Sequence, residues 1–149
     1  MLSTRQLSRV LTTLMLLLGA IGAANGADRP YTEGPVLVVS SIQTEPGMFE
    51  EYMKYLAGPY KQLMDEYKKS GIIVDYSIYN ATPQSPHDPD LYLVTVYKNM
   101  AALDGLAERS DAITERIAGD LQKQGEGMAS RGKLRTFLGA VQMRQLILK

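Results

Sequence analysis

Asp75 and Tyr76 are neighbours in the chain, and together they could support acid–base chemistry. A carboxylate buried against helices has a raised pKa, and such a group serves as a general base near neutral pH. This pair is therefore the candidate catalytic site. The alternative interpretation places Asp75 on an edge strand or beside a cross-strand cation, because charges within strands often protect the edges of sheets.

Cations near the C-terminus could bind an anion. Arg131, Lys133 and Arg135 lie close together, and Arg144 follows them. A carboxylate in a pocket matches the planar fork of an arginine, which donates two parallel hydrogen bonds. The alternative is that these cations sit at a solvated helix end and form ion pairs in a subunit interface.

Tyrosine is concentrated in the middle of the chain, because all nine tyrosines lie between Tyr31 and Tyr97. Tyrosines suit the strands and the core rim of a small domain. They would also suit a pocket for a flat or aromatic ligand. The candidate ligand-binding residues are Tyr52, Tyr79, Tyr97, Arg131 and Arg135.

His87 is the one histidine of the chain, and it lies in a segment that also holds Asp88 and Asp90. Histidine and carboxylates can transfer protons or bind divalent ions. The spacing matches no known metal-binding loop, which favours a solvated loop whose Asp and Pro residues form turns. The sequence has no cysteine, which excludes thiol catalysis and thiolate metal sites. We therefore predict neither a metal ion nor a cofactor.

The first 27 residues are predicted to be an export signal. Arg5 and Arg9 precede a short apolar run, and small residues end it at Ala27. An uncleaved anchor is the alternative, but a membrane span needs about 20 apolar residues. We expect export by the general secretory route, with cleavage after Gly26 or Ala27. The cleaved protein is then predicted to be periplasmic or secreted and not attached to a membrane.

The chain after residue 27 is close to neutral. Two of the 16 basic residues and none of the 16 acidic residues lie in the first 27, which leaves a formal charge near −2. This balance gives no electrostatic basis for binding nucleic acid or an anionic membrane surface. Residues 28–35 are predicted to be an extended lead-in, and residues 36–149 one domain.

Hydrophobic periodicity predicts alternating strands and helices in that domain. The predicted strands are β-branched or aromatic runs at residues 36–43, 72–79, 91–97 and 140–148. One amphipathic helix follows Gly47 and is expected to kink or divide at Gly58–Pro59. A second helical region begins at residues 100–103, and Ser110–Asp111 is expected to cap a longer helix. The inner stripe of that helix is predicted to hold Ile113, Ile117 and Leu121. The polar, glycine-rich residues 122–135 give no clear helix signal.

This order of elements, β-α-β-β-α-β, predicts an α+β, ferredoxin-like fold with an antiparallel sheet and both helices on one face. Such a sheet leaves its other face bare. The first strand is apolar on both sides, with Leu37 and Val39 opposing Val36 and Val38. A strand of this kind needs cover on both sides, so we expect a homodimer.

The chain resembles the dimeric α/β-barrel superfamily, in particular small proteins described as antibiotic-biosynthesis-monooxygenase-like. The resemblance rests on Pro46–Gly47, on the helix that holds Phe49, Tyr52 and Tyr55, and on the strand at residues 91–97 that runs into residues 100–103. It implies two ferredoxin-like sheets paired face to face. Members include haem-degrading and quinone-forming monooxygenases, isomerases, decarboxylases and proteins without known activity.

Two departures from the characterised members disfavour haem degradation and cofactor-free oxygenation as functions of this chain. Haem-degrading relatives present a histidine from the second helix, which has none here, and cofactor-free oxygenases use a tryptophan that this chain lacks. The first hypothesis is a binding or scaffold protein without catalysis, which would bind a small aromatic or apolar ligand between the helices and the sheet; it rests on the lack of a paired acid and base, a nucleophile motif and a metal-binding set in the sequence. The second is a cofactor-independent monooxygenase or isomerase acting on a small aromatic or quinol-like substrate. A third is an assembly or stress-protection role of the dimer surface.

Overall fold

The first strand, β1 (Tyr31–Thr44), pairs along both of its edges in this computed structural model. Its neighbours are β3 (Leu91–Tyr97) and β4 (Arg135–Leu148), and β3 also pairs with β2 (Asp75–Asn80). All of these pairings are antiparallel, and the strand order is β2-β3-β1-β4. The outer strands β2 and β4 therefore form the two edges of the sheet.

The structure describes residues 28–149, so the predicted export signal lies outside the described residues. The third strand occupies the predicted residues 91–97, which confirms that prediction. β1 begins at Tyr31 because its first residues pair with the end of β4, as in the pair Tyr31 and Leu148. Part of the predicted lead-in therefore belongs to the sheet. Residues from Tyr31 to Lys149 form one compact unit.

The helical segment after Gly47 runs through its proline. It consists of α1 (Phe49–Tyr55), a π-helical turn (Leu56–Tyr60) and α2 (Lys61–Lys69). The backbone N–H of Lys61 reaches the carbonyl of Leu56, which is the wide spacing of a π turn. The expected break at Gly58–Pro59 is therefore a wide turn, which accommodates a residue that has no N–H to donate.

The second helical region differs from the prediction. A 3₁₀ turn (Met100–Leu103) leads to α3 (Leu106–Ala118), and α4 (Leu121–Arg131) follows directly. The predicted cap at Ser110–Asp111 is wrong, because both residues lie inside α3. Most of the glycine-rich segment is helical.

The boundary between the last two helices has a clear chemical cause. Gly119 takes a positive φ of 83° and ends α3, and the Asp120 side chain accepts a hydrogen bond from the N–H of Lys123 at the start of α4. Ile113 packs into the core as predicted. Leu121 is 85% exposed, so its predicted place on the inner stripe is wrong.

The core lies between the helices and one face of the sheet, in two clusters. The first cluster contains Ile42, Tyr52, Leu56 and Leu91, and the second contains Met64, Ile72 and Ile73. We call the other side of the sheet the open face. It carries side chains that alternate with the core positions, including Leu37 and Val39 of β1 and the exposed residues Tyr79, Val141 and Met143. Across residues 28–149, no helix is long and apolar enough to cross a bilayer.

Candidate functional site

Tyr52 lies at the centre of the candidate site. Its position on the inner stripe of α1 directs its ring into the first cluster, where the residue is 1% exposed. Burial raises the pKa of the Tyr52 hydroxyl, while the charge of Arg135 and a hydrogen bond from that residue oppose the rise. The structure therefore brings together two of the residues that the sequence proposed for ligand binding.

Aromatic rings surround the two arginines. The guanidinium carbon of Arg131 lies 5.2 Å from the ring centroid of Tyr55, and that of Arg135 lies 5.8 Å from the ring centroid of Phe137. The rings of Tyr52 and Tyr55 stack at 5.8 Å with an interplanar angle of 16°. We refer to these five residues as the arginine–tyrosine cluster. Each guanidinium lies over the electron-rich face of a ring.

A short connection holds the two arginines near each other. Arg131 ends α4 and Arg135 begins β4, and the N–H of Leu134 donates a 2.9 Å hydrogen bond to the carbonyl of Arg131. The carbonyl of Leu134 accepts a 2.9 Å hydrogen bond from the N–H of Glu45, and its side chain packs against the first cluster. Leu134 thus anchors the connection to the core just beyond the end of α4.

Within the described part of the chain, the charges of these arginines have no acidic counterpart. Both residues are half-buried, and among residues 28–149 neither guanidinium forms an ion pair with a carboxylate. The Nε of Arg135 is buried and finds no hydrogen-bond acceptor among the residues from 28 onward. A partly desolvated cation with an unused donor is able to bind an anion, because the anion supplies both the missing charge and the missing acceptor.

The candidate base Asp75 lies outside this cluster. It begins the edge strand β2, and it is exposed. Lys68 Nζ lies 2.8 Å from its carboxylate, and this contact, together with a hydrogen bond from the N–H of Tyr76, lowers the Asp75 pKa. Asp75 thus lies on an edge strand beside a cation, as the alternative interpretation has it. Its carboxylate is not buried, so the raised pKa that a general base needs does not arise.

The remaining candidate tyrosines do not converge. Tyr76 faces the helices and donates a 2.7 Å hydrogen bond to Asp65 at the margin of the second cluster. Tyr97 also packs against the second cluster, where burial raises its pKa. Tyr79 lies on the open face. Of the predicted ligand-binding residues, the structure therefore assembles Tyr52, Arg131 and Arg135, and it separates the other two from them.

The loop between β2 and β3 is held by its own polar side chains. The Asp88 carboxylate accepts hydrogen bonds from the N–H groups of Gln84 and Ser85, and Asp90 accepts from the N–H and hydroxyl of Thr44. Asp88 thus stabilises a turn within the loop, and Asp90 anchors the loop to β1. These roles agree with the interpretation of the His87 segment as a solvated loop. No group of three or more potential metal ligands occurs in the part of the chain from residue 28 onward.

Two members of the cluster were not predicted as site residues. The stacking of Tyr55 could have been inferred, because it lies three residues after Tyr52 and such residues are neighbours on a helix. No spacing in the sequence indicates a site role for Phe137, because the last strand was predicted to begin at residue 140. Its position depends on β4 beginning at Arg135.

The comparisons with known proteins support the architecture. No protein-family model matches the chain, and no curated protein matches it in sequence. Among solved structures, the chain is similar to the crystal structure of HapK from Hahella chejuensis, with a TM-score of 0.50 and 9% identity, covering 74% of this chain and 91% of that one. At this identity the likeness shows the fold alone. With the four-stranded antiparallel sheet and its helices, it indicates an α+β architecture compatible with a ferredoxin-like fold.

Proposed function

We propose that this chain is an exported, homodimeric α/β-barrel protein that binds a small aromatic anion at the arginine–tyrosine cluster. The observation that carries the proposal is the pair of half-buried guanidiniums, Arg131 and Arg135, that lie on aromatic rings without a carboxylate partner in the described chain. A ligand with an aromatic ring and a carboxylate offers what this site lacks, because its charge satisfies the arginines and its ring extends the stack.

The same geometry favours binding over catalysis. A cofactor-independent monooxygenase or isomerase needs a group that removes a proton from its substrate. Asp75 was the candidate, but it is exposed and paired with Lys68, and its pKa is lowered. In the cluster, burial raises the pKa of Tyr52, so this hydroxyl stays protonated at neutral pH. Both observations support a binding protein.

The homodimer and the membership of the dimeric α/β-barrel superfamily are part of the proposal. The open face carries apolar side chains on β1, β3 and β4, and Val141 of β4 is 58% exposed. A second copy placed face to face would bury these side chains. Removing apolar surface from water contributes about 25 cal/mol of favourable free energy per Å². Export rests on the sequence of residues 1–27.

Native mass spectrometry of the protein purified from the exported fraction tests this function. We expect a dimer that retains a small molecule of aromatic acid composition. Arg135→Gln should lose the molecule, whereas Lys133→Gln, which removes a neighbouring exposed charge, should retain it. A bare dimer from the wild-type chain, or equal retention by both variants, would count against the binding site. A bare monomer would count against the barrel.

A further inference from the structure

The helix α4 packs lightly against the rest of the unit. The residues that are even partly shielded are Gln124, Gly127 and Arg131, which follow the spacing of one helical stripe. Its two large apolar side chains, Leu121 and Met128, are mostly in solvent. No residue of the helix is buried. Helical stability in proteins comes chiefly from the packing of an apolar face, so this helix is held by little besides its caps.

The sequence of α4 lowers its stability further. Gly125 and Gly127 both lie inside the helix, and glycine is less favourable than alanine at such positions. An eleven-residue helix of this composition is marginal by itself. Its docked position therefore depends on the few contacts of its inner stripe, of which the Arg131 guanidinium on Tyr55 is the one that belongs to the proposed site.

Gly127 has a specific relationship to that contact. A β carbon at Gly127 would lie 3.3 Å from Nη1 of Arg131, which is closer than ordinary van der Waals contact. A β carbon at Gly125 would meet nothing within 4 Å. The absence of a side chain at Gly127 thus leaves room for the guanidinium to fold back along the helix and over the Tyr55 ring.

We propose that α4 is a lid that closes on an aromatic carboxylate, with Arg131 as the moving half of a guanidinium pair and Arg135 as the fixed half. Arg135 is fixed because it begins β4, where it pairs with Thr44 of β1. A carboxylate at Arg135 attracts Arg131 only when α4 is docked, so the ligand binds the closed state more tightly and shifts the population toward it. This inference rests on the proposed binding function.

Hydrogen exchange of the backbone amides, followed by mass spectrometry, measures the closure directly. The probe is 2-naphthoate, and 2-naphthalenemethanol is its uncharged counterpart. We expect 2-naphthoate to slow exchange in residues 121–131 at least tenfold, and the alcohol to leave it unchanged. Exchange in β3 serves as an internal reference, because that strand lies within the sheet.

Two alanine variants separate the lid from simple helix stabilisation. Gly125→Ala and Gly127→Ala both favour the helix, so both should slow exchange of α4 in the absence of the probe. Gly125→Ala should also tighten 2-naphthoate binding severalfold, because the closed state is more populated. Gly127→Ala should weaken binding severalfold, because the added methyl group would lie 3.3 Å from Nη1 of Arg131 and the guanidinium would have to shift by a few tenths of an ångström. A lid is expected to bind 2-naphthoate more tightly after the substitution at Gly125 and more weakly after the substitution at Gly127. A passive helix is not expected to show these opposite changes.

The outcomes distinguish this inference from the function on which it rests. Binding of 2-naphthoate with unchanged exchange in α4, or equal affinities of the two variants, would overturn the lid and leave the binding site standing. If the wild-type protein retains a different molecule but does not bind 2-naphthoate, the carboxylate clamp is wrong. A protein that retains no molecule and binds neither probe would overturn both proposals.

Discussion

Tyr79 of β2 and Tyr92 of β3 are direct partners across the antiparallel ladder, and their side chains lie on the open face of the sheet. Tyr79 is 56% exposed. Cross-strand aromatic pairs stabilise sheets, and here the pair also enlarges an apolar surface that the helices do not cover. Tyr79 is therefore better explained by the proposed subunit contact than by the ligand site for which the sequence suggested it.

Val141→Glu should abolish self-association. Val141 lies on the open face opposite Val39, so a carboxylate there would have to be buried in a face-to-face dimer without a partner. Analytical ultracentrifugation should show a monomer at concentrations at which the wild-type protein is a dimer. Leu121→Glu is the matched control, because it adds the same charge at an exposed position on α4. Dimers of both variants would exclude the open face as the interface.

Substitutions of Tyr52 should separate the ring from the hydroxyl. Tyr52→Ala removes a fully buried ring from the first cluster and should lower the free energy of unfolding by about 3–5 kcal/mol. Tyr52→Phe keeps the ring and removes only the hydroxyl beside Arg135, which should cost about 1 kcal/mol. Urea unfolding monitored by circular dichroism measures both values. A loss below about 1 kcal/mol for the alanine variant would mean that the ring is not part of the core.

Tyr60 should make stability fall at alkaline pH. Burial raises the pKa of Tyr60 to about 12 from an ordinary value of 10.0. Between these values the unfolded chain loses the phenol proton and the folded chain keeps it. The free energy of unfolding therefore falls by about 1.4 kcal/mol per pH unit as the pH rises. The difference between the wild-type protein and Tyr60→Phe, measured by urea unfolding from pH 9 to 12, should change by about 2–3 kcal/mol. A constant difference would contradict the burial of the phenol.

Asp75 should titrate below its ordinary pKa of 3.8 because of Lys68. Since the folded pKa is lowered, the stabilising effect of the contact is present above pH 3.8 and is lost as the pH falls through the folded value. Lys68→Met should raise the Asp75 pKa toward 3.8, as followed by NMR of the side-chain carboxyl carbon. An Asp75 pKa above 3.8 in the wild-type protein would restore the general-base hypothesis.

The elements with strong hydrophobic periodicity could be predicted from the sequence, and those with little could not. β3 has the predicted bounds because all seven of its residues are β-branched, aromatic or leucine. The helix α4 buries no residue, so it leaves no stripe in the sequence to detect. Its signals were local, namely Gly119 and the capping residue Asp120. The extensions of β1 and β4 depend on mutual pairing, which a single segment does not reveal.

The candidate site shows a similar limit. Alternation along β2 placed Tyr76 and Tyr79 on opposite sides of the strand, but it could not say which side the helices cover. Tyr97 lies on the covered side, yet it packs into the second cluster. Tyr52 and Arg135 were proposed for ligand binding from the chemistry of their side chains alone, and the sequence could not indicate that the two lie near each other.

The π-helical turn has a consequence for how the unit comes apart. Tyr60, the last residue of that turn, packs against the first cluster and also against the second. Its ring meets Tyr76 edge-on at 6.1 Å, which ties the turn to the edge of the sheet as well. Because both clusters pack against the Tyr60 ring, unfolding of either cluster exposes that ring and removes a packing contact of the other. The two clusters are therefore expected to unfold together. Heating should therefore give a single cooperative melting transition, with the halves of the core lost together.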